Sequence, residues 1–263
     1  MNSVLLLKLV LVPALIAGVT LAGRRWGPAF AGWLSAFPIV AGPILWFIAL
    51  EQGAAFAAQA AVGTLSAVLG MLAFGLSYAW AAPRFAWPLS LPLAYVGYAI
   101  AVVLLEWWNA TLPAAAAGVL LALWFAPRFY PRLEAAAAAA VKPPRDMLLR
   151  MGLGALLVLA VTYSAAQLGP SLSGILAMFP VMGTVLVLFT HRSAGAAATV
   201  QLLRGMVLGF YSFSTFCAVL AWTLTVAGTG LAFLWALTAA GLVQGLSRLW
   251  MGRHGLAIAA RTR

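Results

Sequence analysis

The sequence predicts an all-α membrane protein of about nine transmembrane helices, built from two inverted-topology repeats of five and four spans with a proline-broken second helix in each. Three observations lead there. Of the 263 residues, 65% are hydrophobic and 7% charged, with a mean hydropathy of +1.06; a soluble domain of this size needs far more polar surface. Apolar runs of about 20 residues recur from end to end, each long enough to cross a hydrocarbon core about 30 Å thick. The second half also repeats the first at a spacing of 142 residues, and such self-similarity marks a duplicated unit. No segment alternates polar and apolar residues as a barrel strand would.

Taken in order, the spans fall at 3–22, 29–50, 54–81, 86–107, 110–127, 148–167, 171–190, 196–226 and 229–250. Residues 1–127 form the first repeat, 128–147 a linker, and 148–263 the second repeat with a basic tail. The linker contains "RLEAAAAAAVKPPRD", helix-prone until Pro143-Pro144 stops it. Residues 1–23 also fit a cleaved leader, with Lys8 as its charged flank. Their match to residues 147–162 argues that they are retained.

Charge sets the expected orientation. Arg24, Arg25, Arg84, Arg128, Arg132, Lys142, Arg145, Arg192 and Arg253 all fall on one side of a nine-span chain, and the opposite loops carry no lysine or arginine. By the positive-inside rule that basic side is cytoplasmic, with the N-terminus outside, in a bacterial-type inner (plasma) membrane. The net charge of +11 then calls for anionic headgroups of membrane lipids as partners and not for nucleic acid. A homo-oligomer is compatible with small-xxx-small stretches such as Gly205 to Gly209, which equally let helices pack within one chain.

The repeat pairs Gly27-Pro28 with Gly169-Pro170, Phe37-Pro38 with Phe179-Pro180, Gly53 with Gly195, Gln59 with Gln201, Gly63 with Gly205 and Trp80 with Trp222. Lys8 falls on Arg150, and both are expected to snorkel to the interface. An odd number of spans in the first unit turns the second upside down in the membrane. The stretches "GWLSAFPIVAGPILWFIALEQG" and "SGILAMFPVMGTVLVLFTHRSAG" resemble the core of the GlpM-like small integral membrane proteins. That resemblance implies a fused, inverted pair of such units, with the fifth span missing from the second. It implies no substrate and no catalytic residues.

Proline removes an intrahelical donor and displaces the carbonyl four residues earlier. In lipid such a break has to face protein or a wet cavity. Matched breaks in inverted halves point to a transporter binding site, although an inherited packing kink gives the same pattern. Arg204 lies about eight residues, some 12 Å, into the eighth span, where an arginine has to be paired. The expected central site therefore comprises Arg204, Gln201 and Gln59 beside Phe37, Pro38, Phe179 and Pro180, receiving a small anionic solute or a lipid headgroup. In the alternative, Arg204 snorkels to the surface. With four acids in the chain, and with His191 read as a loop residue, carboxylate proton relays are disfavoured. Sodium coupling through hydroxyls such as Ser35 and Thr184 stays open.

No hydrolytic triad, metal-ligand cluster or phosphate loop is present in the sequence, so neither an enzyme, a metal nor a cofactor is expected. The reading from another functional class is a non-transporting scaffold or accessory subunit in envelope assembly.

Overall fold

A computed structural model describes residues 3–108, 110–133, 146–167 and 179–260. Among these, all regular structure is helical: α1 (Ser3–Trp26), α2 (Pro28–Ser35), α3 (Ala41–Gln52), α4 (Ala54–Ala81), α5 (Trp87–Trp107), α6 (Leu112–Phe129), α7 (Met147–Gln167), α8 (Val181–Thr223) and α9 (Thr229–Ala260). Among the described residues, six helices are long and apolar enough, by length and composition, to cross a membrane. Large apolar side chains such as Leu93, Ile100, Leu121 and Trp124 point outward from them, a surface suited to lipid and not to water.

Prolines and glycines set the boundaries. Proline occupies the first turn of α2, α5 and α6, where its missing N–H costs no hydrogen bond. Gly27, Gly53 and Gly195 alone among the described residues take positive φ. Gly53 (φ 89, ψ 165) turns the chain between α3 and α4, and Gly195 (φ 79, ψ −177) interrupts α8 in the same conformation. That region of backbone space is essentially open only to glycine. We therefore treat α8 as two arms, 181–194 and 196–223.

Other boundaries recur at the same spacing. Helix α4 ends at Ala81 and α8 at Thr223, while α5 begins at Trp87 and α9 at Thr229, each pair 142 residues apart. Helix α5 packs along α4, and α9 packs along α8. The end of α4 meets the start of the second arm, with Gly75 facing the Leu203 side chain. Helices α1 and α7 pair where Gly154 makes room for Ile16. The main core runs between these layers through Leu65, Tyr78, Val119, Leu123, Phe216 and Leu220.

The tightest junction joins α2 to the second arm of α8. Gly32 lies against the Leu202 carbonyl, Gly205 against that of Ala29, and Gly209 against that of Trp33. The small-residue spacing is thus spent inside the chain, on backbone contact that any Cβ would obstruct.

Several expectations need correction. Helix α9 continues past the expected end of the last span at residue 250 to Ala260, since no proline intervenes to stop it. Helix α6 runs through Phe129, two residues past the expected span end at 127. Arg150 does not snorkel: it is 4% exposed, pairs with Asp146 at 3.2 Å and stacks on Phe189 at 4.8 Å. Asp146, assigned to the linker, stands one turn before its partner, where an i,i+4 pair forms. The Lys8 side chain, residues 134–145 and the Gly169-Pro170 pair lie outside the described residues.

Candidate functional site

Both Phe-Pro pairs fold into the same turn. The N–H of Ile39 donates to the Phe37 carbonyl at 2.8 Å, and that of Val181 donates to Phe179 at 2.8 Å. One turn on, Gly42 donates to the Pro38 carbonyl at 2.9 Å and Thr184 to that of Pro180 at 2.8 Å. Pro180 has φ −76 and ψ 60, the inverse γ-turn. Proline's fixed φ suits the centre of that turn, and its missing N–H is not needed there.

A cavity of about 270 Å³ opens between the two turns. Its walls include Phe37 with Phe179, Val40 with Met182, Ala41 with Gly183, Thr64 with Met206, Val68 with Phe210 and Met71 with Phe213. Each of these pairs is separated by 142 residues. Pro180 lines the cavity too, whereas Pro38 is buried and does not line it.

The cavity is mostly apolar, and among the described residues no charged side chain lines it. Ser35 and Thr64 give their hydroxyl protons to the carbonyls of Gly32 (2.7 Å) and Ala60 (2.8 Å). Helix α3 and the first arm of α8 both start at its edge. Among the described residues, no backbone carbonyl receives the N–H of Val40, Ala41 or Gly183. These three lining residues offer hydrogen-bond donors at two helix N-termini, where partial positive charge gathers. The arrangement can hold a small ligand that has an apolar body and an acceptor or anionic group.

The carbonyls freed by the first break find partners. Phe37 N–H donates to Leu34 at 3.2 Å, and Gln244 of α9 donates through Nε2 to Trp33 at 3.1 Å. The Trp33 indole N–H in turn donates to Ser247 at 2.8 Å. The second break is held from α5. The Tyr95 hydroxyl and Thr184 Oγ1 share a hydrogen bond of 2.8 Å, and the rings of Tyr95 and Tyr98 pack on Phe179 at 5.1 and 6.3 Å.

The polar cluster expected beside the breaks is not assembled. Arg204 is half-buried and turns to the end of α6, where its Nη2 donates to the carbonyls of Tyr130 (3.1 Å) and Pro131 (3.3 Å). These carbonyls lie just past the end of α6 and take up part of the guanidinium without an acid. Among the described residues, the buried Arg204 Nε has no hydrogen-bond partner. Gln201 is half-buried and Gln59 exposed, and neither lines the cavity. The one group here that does reach the cavity is Tyr130, buried with its hydroxyl facing Gly75. His191 is not a loop residue: it lies in α8, and its Nδ1 is 3.1 Å from the Tyr78 hydroxyl.

Gln244, Tyr95 and Tyr130 were missed as supports of the site. For Gln244 a signal existed, since an amide within an apolar span needs a partner. Tyr95 and Tyr130 look like any core or interfacial aromatic in a single sequence.

No family model matches this chain, and neither a curated protein nor a solved structure does.

Proposed function

We propose that the chain is an integral inner-membrane transporter that passes a small solute through the cavity between the two Phe-Pro turns. The observation that carries this reading is the wall itself: six residue pairs, each 142 apart, face one cavity. A site at the interface of two repeated units is where transporters built from such repeats bind their solute. The units are inverted, with five and four spans and the N-terminus outside. Matched helix boundaries and the opposed run of α4 and the second arm of α8 support that topology. In the same proposal each unit corresponds to one GlpM-like protein, and no catalysis is involved.

The solute carries a small anionic or acceptor group, met by the N–H groups of Ala41 and Gly183 rather than by Arg204. Its remaining surface is apolar, matching Phe37, Phe179, Phe210 and Phe213. Solute release rocks one unit against the other, and the single-residue turns at Gly53 and Gly195 are the pivots.

A thermal-shift screen of the purified chain against small organic anions, beside an Ala41→Leu variant that fills the cavity, tests the site. A ligand at about 100 times its Kd adds about 2.7 kcal/mol to apparent stability. The expected result is a shift in the wild type that the variant loses, followed by flux of that compound in proteoliposomes. A shift that survives in Ala41→Leu removes the cavity from the proposal. Binding without flux favours the scaffold reading.

A further inference from the structure

The sequence contains "WAAPR" at 80–84 and "WFAPR" at 124–128, one at the end of α4 and the other at the end of α6. The two arginines make the same pair of contacts. Arg84 Nη1 donates to the Trp80 carbonyl at 2.8 Å, with its guanidinium carbon 5.6 Å from that indole's centre. Arg128 Nη1 donates to the Trp124 carbonyl at 2.8 Å, with its guanidinium 5.7 Å from Trp124 and 5.4 Å from Phe125.

The two motifs are tied together. The indole N–H of Trp80 donates to the Phe129 carbonyl at 2.8 Å, so the ring on which Arg84 stacks touches the residue next to Arg128. Both arginines are exposed. The one ion pair among the described residues joins Arg150 to Asp146, so neither guanidinium is paired with a carboxylate of the described residues. Each retains most of its five donors, and stacking on an aromatic face fixes the fork that suits phosphate.

Below the charges the surface is apolar. Leu120, Leu121, Trp124 and Phe129 are all exposed on α6, and Leu120 lies one turn below Trp124 on the same face. Two positive forks above an outward apolar wall match a ligand with a phosphate and long acyl chains. We propose that Arg84 and Arg128 together clamp the phosphate of one anionic phospholipid, whose acyl chains run along Trp124 and Leu120. The clamp is independent of transport and requires only that the chain sits in a bilayer.

The test is lipid binding to the full-length chain in detergent, read by native mass spectrometry or by titration. Phosphatidylglycerol, phosphatidylcholine and inorganic phosphate serve as probes. The variants are Arg84→Gln, Arg128→Gln, the double variant, Arg84→Lys and Arg25→Gln, the last removing a guanidinium that stacks on Trp26 at the end of α1.

Each single glutamine variant is expected to weaken phosphatidylglycerol binding about tenfold, as loss of a charge-assisted bond does. The double variant should be little worse than either, because both arms hold one phosphate. Arg84→Lys, which keeps charge and fold but loses the fork, should fall between. Arg25→Gln should leave phosphatidylglycerol binding within about twofold of wild type, below the loss of one charged contact. Phosphatidylcholine, whose choline cation opposes two guanidiniums, should bind the wild type more weakly than phosphatidylglycerol. Equal, additive losses at all three arginines would overturn the clamp in favour of diffuse surface potential. Inorganic phosphate binding as tightly as the lipid would overturn the lipid assignment.

Discussion

Pro38 and Pro180 sit in turns with the same hydrogen bonds, yet different chemistry holds each turn in place. The first is fastened by an amide: Gln244 reaches from α9 to the Trp33 carbonyl, while the Trp46 ring of α3 packs edge-on against Phe233 of α9 at 4.9 Å. The second is fastened by phenols: Tyr95 reaches from α5 to Thr184, and with Tyr98 encloses Phe179. Helices α5 and α9 start 142 residues apart, and each supports the break that is the more distant from it in the chain: α9 the turn at Pro38 and α5 the turn at Pro180. The backbone geometry is fixed locally by proline and glycine, and both halves keep it. Support from a distant helix requires only some donor or ring at the right height, so side chains there are free to differ.

The sharpest way to break this comparison is at the glycines of the long helices. A Cβ at Gly205 would run into the Ala29 carbonyl of α2. Its partner in the other half, Gly63, has no described atom within 4 Å of that point. Gly205→Ala is expected to cost about 3 kcal/mol or to abolish folding, since backbone cannot yield as a side chain does. Gly63→Ala should stay within about 0.5 kcal/mol of wild type. Melting temperatures of the purified variants decide it. If Gly63→Ala is as damaging, position 63 is packed as closely as position 205, and the contrast between the two glycines fails.

The next effect concerns what the halves share. Gly53→Ala and Gly195→Ala each force a side chain into backbone space essentially reserved for glycine, at about 1–3 kcal/mol. Near-equal losses in melting temperature are expected at the two positions. A loss at one and none at the other would mean that only one turn is held rigidly. The proposed pivots would then not act as a pair.

How much of this was legible in the sequence follows the same division. Gly53, Gly195 and the two Phe-Pro pairs could be read directly, because glycine and proline act on their own backbone. The helix limits around them followed to within a few residues. Arg204 could not be placed: its partners are main-chain carbonyls more than 70 residues away, and carbonyls leave no trace in a side-chain pattern. Arg150 is different, since its acid stands four residues earlier in the chain. The spacing was visible, but Asp146 had been counted with the linker. Within the cavity, Phe37, Phe179 and Pro180 were legible, whereas the rest of its apolar wall and the exposed position of Gln59 were not. A repeat tells which residues correspond and leaves the rotation of each helix about its axis to packing.

A third prediction removes the amide from the first break. Gln244→Leu keeps the volume of the side chain but strips the Trp33 carbonyl of its donor in a buried place. An unsatisfied buried acceptor costs about 1–3 kcal/mol. Hydrogen exchange in α2 should rise while that of the first arm of α8 stays unchanged. Exchange rising equally in both would show that the two breaks open together.

The smallest effect is expected where the second break loses its phenol. Tyr95→Phe deletes one hydroxyl and leaves the ring on Phe179 and on Phe74, whose centre is 5.6 Å away. Thr184 then loses that 2.8 Å partner but can turn its hydroxyl to a carbonyl of its own helix, as Thr64 and Thr199 do. Interhelical hydrogen bonds between side chains in membranes average about 0.6 kcal/mol, so the melting temperature should fall only slightly. Thr184→Val should match it, and the double variant should be no worse than either, because all three changes remove the same bond. A loss as large as that of Gln244→Leu would mean that the hydroxyl pair, and not the surrounding rings, fixes the second turn. The two breaks would then rely on polar contacts to the same degree despite their different residues.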